Sequence, residues 1–184
     1  NALGHLVINN NTGVILNGIL DIYGSLTYGN NGVDLKTNNL LTLKSTLANT
    51  AWIGNMTGKT IEGDVTVERY IPNHSKAWQF LSVPVTGLQT IHEAWQDTAN
   101  FANQNRFPGF GTMLTSNLPG ALALGFDVYT APGPSIKVYN SNTGGYIGVP
   151  STKTTAISNP RGYMVFVRGD RSVTAHNQPA TSTV

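Results

Sequence analysis

Residues 14–43, VILNGILDIYGSLTYGNNGVDLKTNNLLTL, decide the fold. Apolar residues recur there as pairs one residue apart: Leu20 with Ile22, Leu26 with Tyr28, Val33 with Leu35, and Leu41 with Leu43. Alternation of period two places both members of a pair on one face of an extended strand. Between the pairs stand Asn17-Gly18, Gly24, Gly29 to Gly32 and Asn38-Asn39, residues that reach the positive φ of tight corners at little cost. Strands this short do not make a free-standing sheet. Stacked as rungs they bury a common interior, so residues 1–70 or so are expected to form a short β-solenoid or β-helix-like part. Meandering hairpins of a sandwich are the alternative that the same pattern allows.

Working outward, TIEGDVTVERYIP (60–72) reads as one longer strand carrying Val65, Val67 and Tyr70-Ile71, with Pro72 as its stop. A boundary is therefore set near Asn73. Beyond it, 77–85, 135–150 and 161–175 read as strands, and the middle stretch carries a hairpin turn at Asn140 to Gly145. One short helix is expected within 90–100, capped by Thr90 and presenting Ile91, Ala94 and Trp95 at helical spacing. Residues 101–134 are rich in Pro, Gly and Asn and read as long loops. The expected architecture is all-β: a β-solenoid-like part over 1–72, then a β-sandwich-like domain with one short helix over 73–184. That second domain is expected to continue past Val184, because QPATSTV ends in a β-branched run.

Only 11% of residues are charged, less than half of the usual share of about 25%, so solubility rests on Asn, Thr, Ser and Gly. The net charge of +2 and the scattering of the 11 Lys and Arg give no basic face for nucleic acid. No stretch has the run of about 20 apolar residues that a membrane span needs. The chain has no cysteine, which removes disulfides, zinc–thiolate sites and thiol nucleophiles.

Catalytic patterns are missing from the sequence. His92-Glu93 begins like a zinc-protease helix, but position 96 is Gln where the second His belongs, so a solvent-facing helical turn is expected. No G-x-S-x-G elbow, P-loop or dinucleotide-binding glycine pattern follows a strand. Glu62, Asp64 and Glu68 have the look of a glycosidase acid pair, yet they read better as a polar outer face. No cofactor is expected; the isolated carboxylates do not support calcium, and a structural site built from Asn and carbonyls is the only metal left open. Arg168-Gly169-Asp170 spells an integrin-type tripeptide at a place where a turn is needed anyway. Trp52, Trp78 and Trp95 are expected chiefly in cores. If the chain holds a glycan, the candidate contacts are Trp95, Phe107, Phe110 and Tyr129 on and beside the long loops.

Four separated blocks occur in order: GDVTVERYIP, KAWQFLSVPVTGLQTIHEAWQ, SIKVYNSNTGGYIGV and GYMVFVRGDRS, with NNLLTLKSTLANTAWIG ahead of them. Together, over residues 35–184, they resemble a recurrent segment of large Bacteroidetes cell-surface, adhesin-like proteins exported by type IX secretion. The resemblance implies an extracellular or outer-surface location and a non-enzymatic structural or adhesive role. It also implies partners among other copies or neighbouring segments of the same protein and surface glycans. A carbohydrate-binding accessory domain is the alternative.

Overall fold

The structure, a computed structural model, describes residues 1–74, 77–83, 87–98, 107–128, 133–157, 161–172 and 180–184. It is mostly strand, with one short helix among the described residues. The chain divides into two compact units, Asn1–Tyr70 and Ile71–Val184.

The first unit holds β1 (Ala2–Ile8), β2 (Val14–Ile15), β3 (Leu20–Tyr28), β4 (Asp34–Lys36), β5 (Leu41–Leu43), β6 (Trp52–Ile53), β7 (Thr60–Glu62) and β8 (Val65–Val67). All ladders between these strands are parallel. One sheet runs β1-β3-β5-β8, with β6 also on β3, and a second runs β2-β4-β7. Successive turns therefore stack in register: Leu20 on Leu41 on Val65, and Ile22 on Leu43 on Val67. This is a β-solenoid-like arrangement of about three turns, not the meandering hairpins that the sequence left open. Its interior is Ile8, Leu20, Ile22, Leu26, Leu35, Leu41, Leu43 and Ala51. Each fully buried Leu or Ile stabilises by about 1.5–3 kcal/mol.

The corners are held by neutral side chains. Asn38 and Asn39 take left-handed φ of 48° and 61°, a region Asn tolerates better than other non-glycine residues. The Asn38 amide donates to the Leu16 carbonyl at 2.8 Å, and Asp64 N donates to Asn39 Oδ1 at 2.8 Å. Gly63, at φ +92°, turns the chain from β7 in one sheet to β8 in the other. A Cβ there would stand 2.6 Å from Thr37 Oγ1. The single strand expected over 60–72 is thus three: β7, β8 and β9 (Tyr70–His74). Pro72 lies within β9 instead of ending it. Gly24 corrects the reading in the other direction. It lies inside the nine-residue β3, not at a corner, and a Cβ there would meet the Gly4 carbonyl oxygen at 2.4 Å. The neighbouring strand needs the space.

The second unit adds β10 (Trp78–Ser82), α1 (Ile91–Trp95), β11 (Ile136–Asn140), β12 (Gly145–Gly148), β13 (Gly162–Phe166) and β14 (Ala180–Thr183). Here the ladders of the main sheet are antiparallel, in the order β10-β13-β11-β12, while β9 pairs with β14. The expected hairpin forms as β11 and β12. Thr90 caps α1 in a reciprocal capping box with Glu93, and the helix is only five residues long. Positive φ at Asp97 and Thr98 takes the chain out of helical geometry just beyond it.

One face of the sheet, carrying Leu81, Tyr163, Val165, Ile136 and Val138, packs into a core with Ile91, Trp95, Leu114, Phe126, Val149 and Ile157. Trp95 meets Tyr163 edge to face at 5.2 Å. Among the described residues, no helix is long and apolar enough to cross a membrane.

Candidate functional site

Strand register fixes what the other face of the four-stranded sheet displays. Trp78 stands opposite Phe166, Phe80 opposite Met164, Met164 opposite Lys137, and Tyr139 opposite Tyr146. These residues alternate with the core residues just named, so they point away from the core. An antiparallel sheet with one free face ordinarily makes that face polar. Here it is aromatic: Phe80 is 72% exposed, Tyr139 58%, Tyr146 47% and Trp78 39%.

The rings associate with one another across the sheet. Trp78 and Phe166 lie 5.4 Å apart edge to face, and Tyr139 and Tyr146 lie 5.5 Å apart in the same manner. Phe80 and Tyr146, from the two edge strands, approach to 6.0 Å. The Lys137 ammonium sits 4.7 Å above the Trp78 ring, a cation–π contact. Between Tyr139 and Ser82, the sheet carries Gly162, whose missing side chain leaves a gap. A Cβ there would have no neighbour within 4 Å. The result is an open depression of about 520 Å3 lined by Phe80, Tyr139, Tyr146, Arg161 and Gly162, with Val138 and Tyr163 beneath. That volume falls within the range of small-ligand sites, about 300–1,000 Å3.

The cluster of polar groups in the second unit is a clamp buried in the fold. Asp127 forms a bidentate ion pair with Arg171, Nε to Oδ1 at 3.0 Å and Nη2 to Oδ2 at 3.1 Å. It also accepts from Leu114 N and from Gln96 Nε2, each at 2.8 Å. Burial raises the Asp127 carboxyl above the ordinary range, against the pull of Arg171, Leu114 and Gln96. Burial likewise raises Asp97, opposed by Arg171 and reinforced by Asp170.

His92 belongs to this interior. It is 8% exposed and its Nδ1 lies 3.3 Å from Gln96 Oε1, which corrects the solvent-facing turn expected there. Arg168 and Asp170 are also buried. Asp170 accepts from Gly109 N and from Ser172, so the tripeptide is a structural turn and not a displayed ligand. Among the described residues, no group of three or more His, Asp or Glu is placed to hold a metal.

Of the four aromatics expected to contact glycan, Trp95 is 4% exposed and belongs to the core; its helical spacing served packing. Phe107 and Phe110 are exposed, on a turn away from the aromatic sheet face in sequence. Tyr129 lies outside the described residues. In the first unit, Glu62 pairs with Lys36 at 3.0 Å on the exposed surface, as a polar outer face would, whereas Glu68 pairs with Lys44 in a largely buried bridge that the outer-face reading did not expect. The sheet face itself was readable in part: alternation in WQF sets Trp78 and Phe80 on one face, and alternation in KVYN and GYIG sets Tyr139 and Tyr146 on the face opposite Val138 and Ile147. Sequence alone does not say which face is covered.

Comparison with protein families, curated proteins and solved structures finds no match to this chain. The site must be read from its own chemistry.

Proposed function

We propose that the chain is a non-enzymatic structural and adhesive module of a large exported surface protein. In this reading the solenoid-like unit is a stalk segment and the aromatic sheet face is the contact surface. The observation that carries it is the exposure of Trp78, Phe80, Tyr139 and Tyr146 together on one face. Contiguous exposed apolar area of this kind marks interaction sites. The resemblance to adhesin-like Bacteroidetes proteins and the scarcity of charge support an extracellular setting. The second unit is best read as sandwich-like: Ile71 of β9 and Val184, next to β14, join the same core as the four-stranded sheet, as a second layer would.

A stacking role for the solenoid has its own support. β1 is the edge strand of its sheet and carries no Lys, Asp, Glu or Pro, the residues that natural edges use to block pairing. Leu3, in register with buried Ile22, remains 40% exposed. A further rung, from a neighbouring segment or a second copy, would cover it and extend a stalk or filament.

The test is surface plasmon resonance of the immobilised chain against a panel of extracellular polysaccharides and glycoproteins. Saturable binding that disappears in the Tyr139→Ala/Tyr146→Ala double variant, with circular dichroism unchanged, supports the reading. Binding that survives the double variant, no binding to any member, or cleavage of a panel member would overturn it.

A further inference from the structure

We infer that the aromatic sheet face binds an anionic polysaccharide, one bearing uronate or sulfate groups. The inference rests on the contact-surface reading above and names its ligand. Residues 71–184 carry seven Lys and Arg against four Asp and Glu, but the positions of those acids matter more than the count. Asp127 and Asp170 are buried, and Asp97 is half-buried. Glu93 is exposed, but on α1, whose Ile91 and Trp95 pack with the opposite face of the sheet. The aromatic face therefore carries cations without carboxylates. Lys137 lies over Trp78, and Arg161 lines the depression beside Tyr139 and Tyr146.

Each component matches one part of such a ligand. The C–H faces of sugar rings stack on aromatic rings, and the Tyr139 and Tyr146 hydroxyls offer hydrogen bonds to sugar hydroxyls. Arg161 presents the planar fork that pairs with carboxylate or sulfate in two parallel hydrogen bonds. The gap over Gly162 gives a ring space to settle beside the Phe80–Tyr146 pair, which is itself in contact. Nucleic acid is a poor fit, because its affinity is built from about six to ten phosphate contacts and this face offers Lys137 and Arg161.

The experiment is affinity electrophoresis of the 184-residue chain through gels holding polygalacturonate or dextran sulfate. Matched gels hold their uncharged counterparts, methyl-esterified polygalacturonate and dextran. The expected result is retardation by a charged gel, with affinity about tenfold or more above its neutral match. Arg161→Gln should erase that ratio. Gly162→Leu, which fills the gap without touching the core, should abolish retardation while circular dichroism stays unchanged. Preference for one charged gel identifies uronate or sulfate as the source. Equal retardation by charged and neutral gels overturns the anionic inference and leaves the contact surface standing. Retardation by none, with sedimentation showing a dimer that Tyr146→Ala dissolves, overturns both and assigns the face to a second copy.

Discussion

The two units solve the same problem, burying apolar strands with few charges, by opposite means. In the first, neighbours in space lie one turn apart in sequence, parallel and in register, and Asn and Gly corners stack on one another. In the second, the strands are antiparallel, long loops intervene, and Asp127 bonds to Arg171 across 44 residues. Charge divides along the same line. The solenoid pairs Lys36 with Glu62 and Lys44 with Glu68, whereas the second unit buries two of its carboxylates and leaves cations on its aromatic face. A repeat builds a support from local rules, while a fold closed by distant contacts can leave one sheet face free for a partner.

The largest expected effect falls on the clamp. Asp127→Asn removes the charge that balances the buried Arg171 guanidinium, whose side chain is 2% exposed. A broken buried pair costs about 3–5 kcal/mol. Chemical denaturation followed by far- and near-ultraviolet circular dichroism should show the loss in the transition of the second unit, with that of the solenoid unmoved. A single shared transition that shifts as a whole would erase the distinction drawn between the units.

Gly24→Ala probes the solenoid in the same way. The new methyl group meets the Gly4 carbonyl oxygen and the His5 ring, so β1 must move away from β3. Overpacking of this kind costs about 1–3 kcal/mol. Hydrogen exchange should quicken at β1 amides and leave β11 and β13 unchanged.

Asp97→Asn should have the smallest effect, and it should depend on pH. Burial raises the folded-state value of Asp97, so its contribution to stability is fully present below the unfolded aspartate value, about 3.9. That contribution is lost as pH rises through the folded value. Asn is neutral throughout and suits the left-handed φ of 50° at this position. The variant should melt roughly 1–3 °C higher at pH 7, and the difference should vanish near pH 3. A gain that persists at acid pH would point to backbone strain instead of charge.

Legibility in the sequence follows the same division. The pairs Leu20/Ile22 and Leu41/Leu43 predicted the solenoid-like stacking because each repeat declares its own inward face. The Asn140–Gly145 turn and the Thr90 cap were also local signals. Gly24 misled because a glycine that makes room for a neighbouring strand looks like a glycine that makes a corner. Gly63 was the true corner. The burial of Arg168 and Asp170 depends on partners far along the chain, Thr112 and Gly109, and no local pattern announces it, whereas the helical spacing of Trp95 with Ile91 did point to the core. The aromatic face was visible as alternation, but its exposure is a property of the assembled sheet.

The central claim is tested most directly by mapping amide chemical shifts of the 15N-labelled chain as short oligogalacturonate is added. The account predicts movement confined to Lys137–Asn140, Gly145–Gly148, Trp78–Phe80 and Arg161–Phe166, with the indole N–H of Trp78 among the largest and the solenoid amides still. Shifts centred on β1 to β8, or none at saturation with either oligogalacturonate or a sulfated dextran oligosaccharide, would contradict it.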